Sequence, residues 1–256
     1  MMNESQGPSG RPQRNLRQKL VDSLGEQIVG GTLKPGEALP PEDLLLKRYG
    51  VSRTVLREAI NVLSGKGLLK ARPRLGTVVQ PRIEWSQLDP DVLSWLHTDA
   101  SPPQDLRSDL EDLMKFRWII EPQAAALAAE SATREDIAAI LAACEAMENA
   151  GDSVEAFFEA DLAFHVACLH AARNRFLLPV AHVIRTAMVT SLRVTNRDPA
   201  ANRSVSAPLH FAILHAIISG SSKDAAAAME RHLKDTEARQ IAAWQEMQAP
   251  NKSSAR

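Results

Sequence analysis

The run Val51-Ser-Arg-Thr-Val-Leu-Arg-Glu-Ala-Ile60, continued by Asn-Val-Leu63, decides the fold of the N-terminal part of the chain. Val55, Leu56, Ala59, Ile60 and Leu63 fall on one face at helical spacing, and Ser52 stands where an N-cap oxygen is wanted. Upstream, Pro41 is placed to start a short helix that carries Leu44, Leu45 and Tyr49 inward and stops at Gly50. Two helices joined by so tight a connection form a helix-turn-helix. A helix over Leu16, Leu20, Leu24 and Ile28, ended by Gly30-Gly31, precedes them. Beyond Gly67 the period changes. Leu68-Leu69-Lys70 and Thr77-Val78-Val79 form two short strands around the basic turn Arg72-Pro73-Arg74-Leu75-Gly76, which is a wing.

Charge supports the same division. The whole chain of 256 residues has a net charge of -1, which hides an asymmetry. Residues 1–85 hold 14 Lys+Arg against 8 Asp+Glu, and the remainder holds 16 against 23. A basic head on an acidic body suits a nucleic-acid reader tethered to a second function, because phosphates attract only the head. The end of a recognition helix that meets base edges is its N-terminus, so Ser52, Arg53, Thr54 and Arg57 are the candidate DNA contacts, with Arg72 and Arg74 at the wing tip. A solvated basic face is the ordinary alternative. Two cysteines, Cys144 and Cys168, are too few for a disulfide framework, and no apolar run approaches bilayer length, so a cytoplasmic protein is expected.

From Pro90 onward the text is helical, with expected spans 90–98, 104–130, 133–149, 152–173, 175–196, 207–219 and 222–247. Breaks are expected at Pro102-Pro103, Gly151, Asn174, Asn196 to Ser206, and Gly220. The fold class is therefore mainly α, a winged helix-turn-helix plus an all-α antiparallel bundle. Its expected divisions are a tail (1–13), the DNA-binding domain (14–80), a linker and connecting helix (81–103), the helical domain (104–247) and a second tail (248–256).

Seven histidines are spread over the body, and one constellation stands out. Asp161 and His165 are four apart on a helix, so carboxylate and imidazole project side by side. His210 and His232 each sit among apolar residues at helical spacing and can point into a bundle. One carboxylate and three imidazoles suit a divalent ion, Zn first and Ni or Mn after it. Spacing alone leaves open separate core or surface histidines, with His170, His182 and His215 in that class, His97 interfacial or exposed, and Cys168 as a minor thiolate alternative.

The stretches Gly30-Gly-Thr-Leu-Lys-Pro-Gly-Glu-Ala-Leu-Pro40, Val51 to Ile60 and Leu68 to Val79 resemble the winged helix-turn-helix of the GntR family of bacterial regulators. That resemblance implies DNA contacts at Arg53, Thr54 and Arg57. Two positions depart from it: Asp43 stands where the family commonly has Arg, and Arg74 where the wing usually has Gly. Phe116-Arg-Trp-Ile-Ile-Glu-Pro122, Asp161 to His165, Asn174, His210 and Met229-Glu-Arg-His-Leu233 resemble the FCD effector domain of the FadR subfamily. The resemblance implies metal ligands at Asp161, His165, His210 and His232, which also serve the effector, and an anchor for an effector carboxylate at Arg117. From spacing alone, Arg117 equally suits a helix-surface salt bridge with Glu121.

The segment from Trp85 to Trp95 resembles the sugar-acid regulators of that subfamily and favours a galactonate-like aldonate effector; it also suits an amphipathic connector that docks two tryptophans. The expectation is thus a homodimeric, ligand-responsive repressor on two-fold related operator DNA, with no membrane partner and no enzymatic role. A metal-dependent enzyme and a pure metal sensor are the alternatives.

Overall fold

The computed structural model describes the backbone of residues 10–96, 103–195 and 199–248, and side chains over a slightly narrower range. Most of both expected tails, His97, part of the expected linker and the start of the expected 196–206 break lie outside the described residues. The chain divides into two compact units, Met1–Asp105 and Leu106–Arg256.

In the first unit α1 (Gly10–Val29), α2 (Glu42–Tyr49) and α3 (Arg53–Gly65) precede a hairpin of β1 (Leu69–Arg72) and β2 (Gly76–Val79). Ser52 caps α3 by accepting from the Val55 amide at 3.3 Å. Gly50 ends α2 in the left-handed conformation at φ 61°, as the tight connection requires. The antiparallel register pairs Leu69 with Val79 and Arg72 with Gly76. The segment before α2 runs along the other edge of β2, with Gly36 donating to the Val79 carbonyl and Leu39 to that of Thr77. At the hairpin tip Arg74 takes φ 64°, a left-handed conformation that a glycine would adopt without cost.

Leu20, Leu24 and Ile28 of α1 close over Leu56, Ala59 and Leu63 of α3 to form the core. The expected inward set on α2 is corrected at one position: Leu45 is buried, but Leu44 is 58% exposed. An eight-residue helix turned by about 100° per residue has room for one inward stripe, and Leu45 and Tyr49 occupy it. The connector joins this core. Trp85, ahead of α4 (Pro90–Trp95), and Trp95, its last residue, are both buried in it, and the Trp85 indole donates to the Gln80 carbonyl at 2.9 Å. A Cβ on Gly25 would come within 2.6 Å of the Trp95 ring, so glycine is what admits the indole against α1. Lys66, at the end of α3, clamps the connector through Asp89 at 2.7 Å and Asp91 at 2.8 Å.

The second unit is helical throughout its described residues: α5 (Pro103–Ser131), α6 (Arg134–Glu148), α7 (Val154–Ala171), α8 (Ala181–Thr195), α9 (Pro199–Ile218) and α10 (Ser222–Gln248). Thr133 and Asp136 form a capping box at the start of α6, and Ser153 caps α7. Packing of α6 on α7 and α9, α9 on α10, and α8 on α7 and α10 builds the bundle. Leu110, Met114, Ala125 and Ala128 bring α5 into the same core as Phe164, Ile213, Met229 and Leu233.

Two boundaries differ from expectation. A helix expected from 175 begins instead at Ala181, after a turn in which Asn174 Oδ1 accepts from the Phe176 amide and a 3-10 turn spans Leu178–Val180. The helix expected from 207 begins at Pro199 and runs through Pro208. Proline removes one backbone hydrogen bond without forbidding the helix when packing holds both sides, and Ala207, Ile213 and Leu214 are buried on both sides of it.

Candidate metal and effector centre

Four helices deliver the central cluster. Asp161 and His165 come from one face of α7, His210 from α9, His232 from α10, and Arg117 with Glu121 from α5. Each of Asp161, His165, His210 and His232 offers one ligand atom, and these atoms lie within 4.8 Å of one another. The three imidazoles and Arg117 are at most 2% exposed, and Asp161 alone retains some access to solvent. Phe164 stacks edge-on against His210 at 4.6 Å between ring centres, closing one side with an apolar wall.

The donor atoms face one another in a way that calls for a cation. His210 Nδ1 donates to the Ser206 carbonyl at 2.7 Å, which leaves a lone pair on Nε2 when the ring is neutral. That Nε2 lies 2.8 Å from Asp161 Oδ1, and His165 Nε2 lies 3.3 Å from the same oxygen. Acceptors so close repel unless a proton or a metal ion lies between them. Two ligands each about 2.1 Å from a zinc ion, at angles between a right angle and the tetrahedral value, stand about 3.0 to 3.4 Å apart. These two separations match that edge length to within a few tenths, and the whole set of ligand atoms lies within 4.8 Å. His232 adds a buried Nδ1 with no hydrogen-bond partner. The residues therefore fit a divalent ion.

Electrostatics prepare the same chemistry at His232 and Asp161. Burial and the neighbouring His210 and His165 hold His232 well below the ordinary histidine range, so its nitrogens are free of a second proton at neutral pH. Burial opposes ionisation of Asp161, but His210 and His165 outweigh it and hold the carboxyl well below its usual value. Glu121 is likewise buried, yet Arg117 and His165 hold it down to about 2. Burial also works against a charged His165, and Glu121 and Asp161 overcome it and raise its pKa.

Arg117 lies inside the bundle, so of the two readings its spacing allowed, the one at the helix surface is set aside. It donates from Nε to Glu121 at 2.5 Å and from Nη2 at 3.3 Å, and Nη2 is also 3.3 Å from His165 Nε2. The salt bridge read from spacing is thus present, but as a buried pair at the edge of the cluster. The sequence shows Glu121 only as that salt-bridge partner. Its second contact, to His165, joins two helices and leaves no local pattern. Cys168 is outside the cluster, and burial pushes its thiol well above the usual value. His170, His182 and His215 are exposed.

In the first unit Ser52, Arg53, Thr54 and Arg57 lie together on the exposed side of the start of α3, and Arg72 and Arg74 are exposed at the hairpin. Arg53 is drawn toward Glu42 at 3.4 Å and Asp43 at 3.5 Å. Asp43 thus neighbours the first residue of the recognition helix, where an arginine would repel it.

Comparison with known proteins matches both halves. The family described as bacterial regulatory proteins, gntR family, matches residues 16–79, and the FCD domain matches residues 112–235. The HTH-type transcriptional regulator YieP of Escherichia coli is 33% identical over 84% of this chain and 90% of its own length. The galactonate operon transcriptional repressor of Escherichia coli is 32% identical over 79% of this chain and 87% of its own. Among solved structures, the Listeria monocytogenes regulator Lar shares the fold at 20% identity, with a TM-score of 0.59 over 94% of this chain and 99% of that one.

Proposed function

The chain belongs to the GntR family of transcriptional regulators with an FCD domain, and from that premise we propose that it is a dimeric repressor whose helical domain binds a sugar acid at a divalent metal. The family and the relatives above are regulators rather than enzymes. Regulators of this kind bind operator DNA and answer to small molecules. Among the described residues no helix is long and apolar enough to cross a membrane.

One observation carries the metal half: three buried imidazoles and one carboxylate each bring a ligand atom to within 4.8 Å of the others. Zinc is the proposed ion, held by Asp161, His165, His210 and His232, and its chemistry here is to draw in a carboxylate and hydroxyl oxygens. Arg117 stands at the rim of the same site, where its planar fork suits a carboxylate. The likeness to the galactonate repressor supports an aldonate as the acid.

Ser52, Arg53, Thr54, Arg57, Arg72 and Arg74 are proposed to meet the operator. Two heads related by a two-fold axis require half-sites with the same symmetry. The effector acts by binding one arrangement of the heads better than the other; a coupling of about 1 to 3 kcal/mol changes operator affinity about 5- to 150-fold.

The test is a gel-shift titration of the promoter fragment with zinc-loaded and chelator-treated protein against a panel of hexonates. Release of DNA by an aldonate only when metal is present is expected. Release by metal alone, with no response to any acid, would replace this reading with a sensor of the ion itself.

A further inference from the structure

The three imidazoles of the cluster differ in what holds the nitrogen turned away from it. For His210 that partner is a backbone carbonyl, Ser206 O at 2.7 Å. For His165 it is a side chain: Nδ1 lies 2.6 Å from Oε2 of Glu121. The same carboxylate receives Arg117 Nε at 2.5 Å through its other oxygen. Arg117 Nη2, a group that only donates, is 3.3 Å from His165 Nε2. A donor opposite Nε2 favours a lone pair there, and an acceptor opposite Nδ1 favours a proton there. Both contacts select one tautomer, and Asp161 Oδ1, 3.3 Å from that Nε2, is accommodated in it only with a cation between the two acceptors.

We propose that Glu121 is the positioning residue of the cluster, fixing His165 with Nδ1 protonated and Nε2 bare while it aims the Arg117 guanidinium at the same point. This rests on the reading of Asp161, His165, His210 and His232 as metal ligands. A carboxylate behind a metal-bound histidine orients the ring and makes the ligating nitrogen more basic. The Nδ1–H direction is not aligned with Oε2 in this arrangement. Contacts of this type tighten when a site is filled, and turning the ring toward the carboxylate closes the hydrogen bond. One side chain thereby joins the metal ligand to the acid anchor.

Glu121→Gln keeps the size of the side chain and removes its charge. Zinc affinity, measured by competition with a chromogenic chelator, is expected to fall about 10- to 100-fold in that variant. Affinity within twofold of the wild type would overturn the proposal. Long-range nitrogen–proton NMR of the wild-type protein gives a second readout that needs no variant. The His165 Nδ1 proton is expected as a slowly exchanging, downfield signal, in the zinc-loaded and the zinc-free protein alike. A bare Nδ1 would overturn the proposal. Wild-type protein that binds no zinc would refute the metal reading instead, and the NMR signal of the zinc-free protein would still decide the role of Glu121.

Discussion

Arg53 and Arg117 are the same residue type in opposite surroundings. Arg53 opens α3 with its side chain 68% exposed, and its acidic neighbours stand at 3.4 and 3.5 Å. Arg117 is 2% exposed and shares Glu121 with a buried histidine. An exposed pair is screened by water and contributes little to stability, which suits the exchange of carboxylates for DNA proposed for Arg53. Buried charges are expensive to separate, because removing one leaves the other without solvent. The arginines of the head are thus available for the proposed DNA contacts, while the bundle gives up stability to hold a charged site in place.

The largest effect expected from this contrast is at Glu121. Glu121→Ala should cost about 3–5 kcal/mol in chemical denaturation, since it strands Arg117 in the bundle. A loss below about 1 kcal/mol would mean that water reaches the guanidinium. Acid gives a related test. Glu121 titrates near 4.5 when unfolded and is held at about 2 when folded, so its contribution is complete above pH 4.5 and fades as pH falls toward 2. Melting temperatures of the wild type should drop across that window more steeply than those of Glu121→Gln; parallel curves would contradict the assignment.

At the head the order of effects reverses. Arg53→Ala should lose about 1–3 kcal/mol of specific operator binding while denaturation shifts by no more than about 0.5 kcal/mol. Equal affinity for the operator would remove Arg53 from the recognition set. Arg74→Gly relieves a left-handed residue at the wing tip and should stabilise the head by about 1 kcal/mol. If Arg74 meets a phosphate, the same variant should lower the salt dependence of DNA binding by about one counterion. Asp43→Ala is the smallest change, within about 1 kcal/mol in stability for an exposed ion pair.

Much of this was legible in one dimension because it is periodic. The apolar stripe of α3 and the Asp161/His165 pair each lie within one or two helical turns, where spacing alone fixes which side chains are neighbours. The convergence of His210 and His232 on that pair depends on how α9 packs against α7 and α10 against α9, and in the sequence it rests on family resemblance. Glu121 as the support of His165 was beyond reach, because the contact spans α5 and α7 and looks locally like an ordinary i to i+4 salt bridge. Leu44 misled because apolar character does not say which side of a short helix is covered. Pro208 misled because the tertiary packing of α9 outweighs the loss of one backbone hydrogen bond.

Metal analysis of purified wild-type protein beside His165→Ala tests the convergence most directly, with circular dichroism as the check on folding. A stoichiometric divalent ion in the wild type, lost from a folded variant together with the response to sugar acids, is the expected result. Full metal content in His165→Ala, or a wild type that takes up no ion when zinc is supplied, would contradict it.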